Sequence, residues 1–132
     1  MRNIMQLRQR PVRASMIPLE NMDMIPVDAA GAAALETIRA HNHARLPVYE
    51  GRRESVIGLL HTLDYLAQSS EGRVRDYMIE IGSVQADAPL DEAFRQMQSA
   101  GQTMVAVRDA GGRTRGFVTM GGLLQDIFIF LE

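Results

Sequence analysis

Two stretches of the chain carry apolar residues at helical spacing, and each is followed by two short β-rich runs. In "GAAALETIRAHN" the apolar positions Ala34, Leu35 and Ile38 share one helix face. In "PLDEAFRQMQSAG" Leu90, Ala93, Phe94 and Met97 do the same, with Pro89 at the first helical position and Gly101 as the stop. The β-rich runs are Arg45–Glu50 with Val56–Leu60, and Met104–Arg108 with Arg115–Thr119. Turn-like "EGRRES" and "DAGGRT" join the members of each pair. A short extended piece precedes each helix, at Met24–Val27 and at Ser83–Gln85. A last helix closes each set, over Leu63–Gln68 and Gly121–Phe130. The predicted order is β-α-β-β-α, twice.

The same register repeats in the residues themselves. "VRASM" from Val12 returns as "VRDYM" from Val74, and "LPVYEGRRESVIGLLHTLDYL" from Leu46 lies over "MVAVRDAGGRTRGFVTMGGLL" from Met104. Self-similarity at a fixed period of this size marks a duplicated supersecondary unit. One unit of roughly 55 residues has only a marginal core, so the two copies are expected to pack sheet against sheet. The expectation is an α+β fold with small sheets of the α/β type, whose two units are related by a pseudo-two-fold axis with equivalent clefts between them. The boundaries are a lead-in over 1–11, a first unit over 12–70 and a second over 71–132.

Composition narrows the chemistry. The chain has no cysteine, which excludes disulfide frameworks, thiolate metal sites and cysteine nucleophiles. A net charge of -2 provides no global field for nucleic acid or an anionic membrane. No apolar run approaches the roughly 18 residues of a membrane span. The opening "MRNIMQLRQRPVR" is interrupted by Arg2, Arg8, Arg10 and Arg13, so it does not read as a signal peptide. This locally basic segment reads either as a solvated lead-in helix or as an arm for a partner or anionic lipid. The closing apolar run Phe128, Ile129, Phe130 and Leu131 marks a subunit or domain contact.

The motifs that close each unit carry a resemblance. The twofold pattern, with Gly-apolar-apolar-(Ser/Thr)-x-x-Asp ending each copy, resembles a tandem cystathionine-β-synthase-type (CBS) domain pair. More narrowly, it resembles the pair of the CorC/hemolysin-C-type membrane proteins. "VRASMIPLENM", "HARLPVYEGRRESVIGLLHTLDYL" and "MQSAGQTMVAVRDAGGRTRGFVTMGGLLQDI" are similar to successive segments of that family, and together they run from about Val12 to Ile127. The resemblance implies a regulatory module, not an enzyme, that binds AMP, ADP or ATP, the last with or without Mg2+, in the cleft between two CBS units. It also implies a homodimer, and attachment to a membrane domain of the parent protein at the cytoplasmic face of the inner membrane. The chain then stands as a soluble part of a larger ion-transport protein, with no nucleic-acid partner.

An adenine nucleotide asks for an apolar slot, a carboxylate for the vicinal ribose hydroxyls, and cations or amides for the phosphates. By resemblance, Asp64 is the ribose carboxylate; read alone, it is an acid in a first helical turn that complements the macrodipole. His61 occupies the Ser/Thr position of the first motif and either donates to a phosphate or plugs the cleft mouth. Its imidazole also offers a pH dependence of binding. Arg45 is either a phosphate contact or a solvated arginine. Thr119 holds the family's hydroxyl position in the second motif and either meets the ligand or caps the following helix. Pro47 and Met104 read as core or cleft wall, and Ile25 and Pro26 lie in the segment expected to offer adenine-facing backbone.

The second motif departs from the family at Gly121 and Gly122, where the pattern has Glu-Asp. That removes its carboxylate and predicts a single nucleotide per chain, held chiefly by the first motif. A ligand-free structural dimerisation module is the alternative that this departure favours. His41 and His43 do not share a helix face and have no evident third ligand, so no metal site is expected. No order or spacing of Ser, His and Asp points to a hydrolase.

Overall fold

The computed structural model describes the backbone of residues 4–68 and 72–131; the side chains of Ile4 and of 127–131 are not among those described. The terminal apolar run expected to mark a contact therefore lies outside the described side chains. In chain order the elements are α1 (Ile4–Gln9), β1 (Ile17–Pro18), β2 (Ile25–Pro26), α2 (Gly31–His41), β3 (Arg45–Tyr49), β4 (Val56–His61) and α3 (Thr62–Gln68). The second copy continues with α4 (Val74–Tyr77), β5 (Gly82–Gln85), α5 (Leu90–Ala100), β6 (Met104–Arg108), β7 (Thr114–Thr119) and α6 (Met120–Leu131). Short 3-10 turns at Val12–Ala14 and Leu19–Asn21 flank β1. Every predicted strand and helix is present, with ends moved by a residue or two. Pro89 sits one place earlier than expected, at the cap of α5, and Gly101 ends that helix in the left-handed conformation.

The strands form two mixed sheets. One has the order β2-β3-β4, with β2 parallel and β4 antiparallel to β3. The other has the order β1-β7-β6-β5, parallel only between β5 and β6. A parallel pair needs a crossover, and α2 and α5 supply it in each copy. The buried faces of those helices are Ala34 and Ile38 in α2, and Leu90, Ala93 and Met97 in α5.

The compact units do not coincide with the boundaries of the repeat. Asp23–Ile81 form one unit, and Gly82–Glu132 form the other together with Met1–Met22. The cause is an exchange of the V-R-x-x-M segments. Val12 belongs to the core built by Val84, Val105 and Val118, whereas Val74 belongs to the core built by Ile25, Leu46 and Leu60. The bonds are equivalent on the two sides. Val12 N–H donates to the Ala88 carbonyl at 2.9 Å, and Val74 N–H to the Ala29 carbonyl at 3.0 Å. Ile17 lies against Phe117, and Ile79 against Leu59. The lead-in is more than a solvated helix: Leu7 is buried in the same core as Val12, and Arg8 pairs with Asp91 at 3.3 Å.

This exchange explains the glycine that opens each closing motif. A Cβ on Gly116 would lie 2.8 Å from the Met16 Sδ and closer still to the Ile17 carbonyl oxygen. A Cβ on Gly58 would lie 2.8 Å from the Met78 Sδ and 3.0 Å from the Ile79 carbonyl. Each glycine is the place where the exchanged segment crosses a hairpin strand.

The "DAGGRT" turn is organised by Asp109. Its Oδ1 accepts from the Gly111 and Arg113 amides at 2.9 and 3.0 Å, and its Oδ2 from the Arg113 and Arg115 guanidiniums at 3.2 and 3.0 Å. Desolvation raises its pKa, but those amides and guanidiniums outweigh it and hold the carboxyl below the ordinary range.

The two close crossings are not equally hard to relieve. Gly116→Ala meets a backbone carbonyl that cannot move without breaking the β1–β7 pair, while Gly58→Ala first meets a movable methionine sulfur. Urea denaturation should therefore show a larger loss for Gly116→Ala, within the range of about 1–3 kcal/mol for overpacking; an equal or reversed ranking refutes the crossing argument. Because the Asp109 carboxyl is depressed on folding, its contribution is complete above the unfolded carboxylate range and disappears as pH falls through the folded value. Stability measured from pH 5 downward should fall less steeply in Asp109→Asn than in the parent chain.

Candidate functional site

The expected site residues fall into two groups, one in each compact unit. In the Asp23–Ile81 unit, Arg45 at the start of β3 lies directly opposite His61 at the end of β4. Side chains at such paired positions stand about 5 Å apart. Asp64 comes three residues after His61, in the first turn of α3, and is exposed. The guanidinium of Arg45 and the imidazole of His61 thus occupy facing positions at one end of this hairpin, and the Asp64 carboxylate lies one helical turn beyond it in the chain.

Other expected residues stand apart from that end. Pro47 is buried in the middle of β3 opposite Leu59. Ile25 is fully buried in the core and pairs with Val48, so its side chain is core and only its backbone faces an edge of the sheet. Pro26 is half-buried beside Tyr49, at the opposite end of β3 from Arg45. In the other unit Met104 and Thr119 are cross-strand partners, Met104 buried and Thr119 half-buried.

Two residues that sequence reasoning passed over hold α3 in place. Thr62 is buried, and its hydroxyl is 2.8 Å from the His43 carbonyl and 3.1 Å from the Ala44 carbonyl. Its amide also donates to Ala44, at 3.0 Å. Tyr65, one turn later on the same face, is fully buried and donates its phenol to the Gly72 carbonyl at 2.6 Å. Its ring meets Tyr77 edge to face, with centroids 5.5 Å apart. Burial pushes the Tyr65 phenol above its ordinary value, which keeps its proton available for that bond; the Gly31 amide opposes the shift. The signal in the sequence was a threonine three residues from a tyrosine, both on the inward face of a short helix.

The second motif resolves one of the two open roles of Thr119. Its Oγ1 accepts from the Gly122 amide at 3.0 Å, which caps α6. At the corresponding helix the cap position is held by His61, and no side-chain cap of this kind is seen there among the described residues.

His41 and His43 are not merely exposed at a helix end. Asp23 lies between them, 3.3 Å from the His41 Nδ1 and 2.8 Å from the His43 Nε2. The carboxylate straps the segment before β2 to the end of α2. Among the described residues no group of His, Asp and Glu is arranged to hold a metal ion, and no helix is long and apolar enough to cross a membrane.

The role of Thr62 has a direct check. Thr62→Val keeps the shape and removes the hydroxyl, and should destabilise the chain by about 1–2 kcal/mol in a urea titration. An unchanged midpoint would mean that the amide of residue 62 anchors the helix alone.

Comparison with known proteins agrees with this architecture. Residues 74–128 match the CBS domain family. The magnesium and cobalt efflux protein CorC of Pasteurella multocida is 27% identical over 128 residues, which covers 94% of this chain and 43% of that protein. Hemolysin C of Brachyspira hyodysenteriae is 22% identical over 126 residues, 95% of this chain and 47% of that protein. The chain thus spans less than half the length of either relative. Among solved structures, the CBS domain of a bacterial CNNM/CorC family Mg2+ transporter in complex with ATP superposes with a TM-score of 0.87. It is 25% identical, with 95% of this chain and 92% of that one covered.

Proposed function

We propose, on the premise that the chain is a CBS-domain protein related to CorC and hemolysin C, that it binds an adenine nucleotide through the first motif and regulates ion transport accordingly. The observation that carries the reading is that Arg45 and His61 face each other at one end of the β3–β4 hairpin and that Asp64 follows in the first turn of α3. Asp64 would accept the two ribose hydroxyls, one on each carboxylate oxygen, which a neutral side chain cannot do as well. Arg45 would meet a phosphate as a planar, permanently charged donor, and His61 would donate beside it. The exposed carboxylate loses water on binding, so it must recover two good hydrogen bonds to contribute affinity. The ATP seen in the related CBS domain supports the ligand class.

Regulation rests on differential affinity: a nucleotide that prefers one arrangement of the module shifts the population toward it, and a membrane domain joined to the module responds. On this reading the chain works at the cytoplasmic face of a membrane as part of a larger protein.

A homodimer is the second part of the reading. Leu63 is 73% exposed, Leu66 41% and Leu124 42%. Leu66 and Leu124 occupy the same position in the two repeats, so both closing helices present an apolar residue to the outside. Burial in a symmetric contact would remove these residues from water. Should no nucleotide bind, these exposed leucines support the module as a structural dimer.

Calorimetry and thermal melting with AMP, ADP and ATP, each with and without Mg2+, test the proposal. At a hundredfold excess over the dissociation constant the stabilisation should be about 2.7 kcal/mol, and Asp64→Ala should abolish it. No shift at millimolar nucleotide, or an equal shift in Asp64→Ala, overturns the role of the first motif.

A further inference from the structure

The lead-in helix α1 packs on α5 and α6, and the three helices do not close completely. An open cavity of about 250 Å³ is left among them. Its apolar lining is Leu7 of α1, Leu90 and Phe94 of α5, and Leu123 of α6. The three leucines are buried and Phe94 is half-buried. Leu123 stands where the first copy of the repeat has the bulkier Tyr65. Protein interiors pack to crystal density, so a void of this size against buried leucines is an unfilled apolar slot. A cavity of about 150 Å³ holds one benzene ring; this one has room for a ring with a short side chain, or for an alkyl chain of similar bulk. Arg8, Asp91 and Arg95 complete the lining. The Asp91 Oδ2 lies 3.3 Å from the Arg8 Nη2 and 3.8 Å from the Arg95 Nη2. Two guanidiniums thus share one carboxylate oxygen, and the lining holds a surplus of one positive charge. The longer contact is beyond hydrogen-bond range, and the Arg95 side chain is 71% exposed. Its guanidinium can therefore turn to another anion at little cost.

We propose that this cavity binds a small amphipathic carboxylate, an anion with a single charged head and an apolar body the size of a substituted ring. The body displaces water from Leu7, Leu90, Phe94 and Leu123, and apolar area removed from water is the main gain. The head takes the planar fork of Arg95, while Asp91 keeps the Arg8 guanidinium beside it. The charges also set the selectivity. A neutral head leaves the positive surplus unmet, and a cationic head meets two guanidiniums that repel it. The site lies wholly in the compact unit that contains α1, α5 and α6, whereas Arg45, His61 and Asp64 belong to the other. It is therefore independent of the nucleotide reading.

Calorimetry and thermal melting of the full chain with octanoate, octanol and octylamine test the proposal. Octanoate should saturate at one molecule per chain. Octanol should bind about tenfold more weakly, which is the loss of one charge-assisted hydrogen bond, and octylamine more weakly still. Arg95→Glu, at an exposed position, should bring octanoate down to the octanol level and leave octanol unchanged. Leu123→Phe should fill the slot and abolish both; should that variant not fold, Arg95→Glu decides alone. Saturating ATP should leave octanoate binding as it is. The proposal is overturned if octanoate does not bind at millimolar concentration, if its uptake does not saturate at one per chain, or if the three compounds bind equally. Full octanoate affinity in Arg95→Glu overturns it too, as does displacement by ATP. A dimer that octanoate splits, seen by sedimentation, would give the groove to a second copy and overturn it as well.

Discussion

Each copy of the repeat is completed by a segment from the other copy, and that segment passes so near a hairpin strand that only glycine fits beneath it. Met16 and Ile17 cross Gly116, and Met78 and Ile79 cross Gly58. The crossing fixes much else. It adds β1 to the β7 edge, joins Ile79 to Leu59, and brings Val12 and Val74 to zero exposure in the two cores. A small β-α-β-β-α unit has little surface to bury by itself, and an exchanged valine and methionine extend that burial. The two compact units are therefore mosaics of both repeats.

The same hairpins carry the candidate site residues. The strand that passes the crossing glycine ends, three residues later, at His61 in one unit and at Thr119 in the other. The helix beyond it leaves the third residue after that strand end exposed, while Thr62 and Tyr65, or Leu123, hold it down. In the first motif the exposed position is Asp64, at the hairpin end where Arg45 and His61 pair. In the second it is Gly122, whose amide donates to the Thr119 hydroxyl.

Much of this was legible in the residues. The alternation of apolar positions gave the element order, because a strand and a helix bury faces with different periods. The closing motifs were equally plain, since each ties a glycine, an apolar pair and a polar cap to one short stretch. Asp64 and His61 were proposed from the closing motif, and Arg45 from its place at the start of the first β-run. Thr62 was missed because its partners, the His43 and Ala44 carbonyls, lie 19 and 18 residues away and a hydroxyl has no periodic signature. Asp23 was missed for the same reason: its bridge to His41 and His43 spans a strand and a helix. Ile25 shows the opposite case, an apolar residue in a functional-looking segment whose side chain is entirely core.

The sequence by itself determined the duplication, the order of elements in each copy and the loss of the second carboxylate, for these depend on residue type at short range. Only the tertiary structure decided which copy each V-R-x-x-M segment completes. Either pairing satisfies the same local pattern, and the choice is made by long-range burial of valine, the backbone bonds to Ala88 and Ala29, and the bare surface over Gly116 and Gly58. It also decided that the Thr119 oxygen faces its own helix, where it accepts from the Gly122 amide, because a hydroxyl's partner depends on its rotamer in the folded chain.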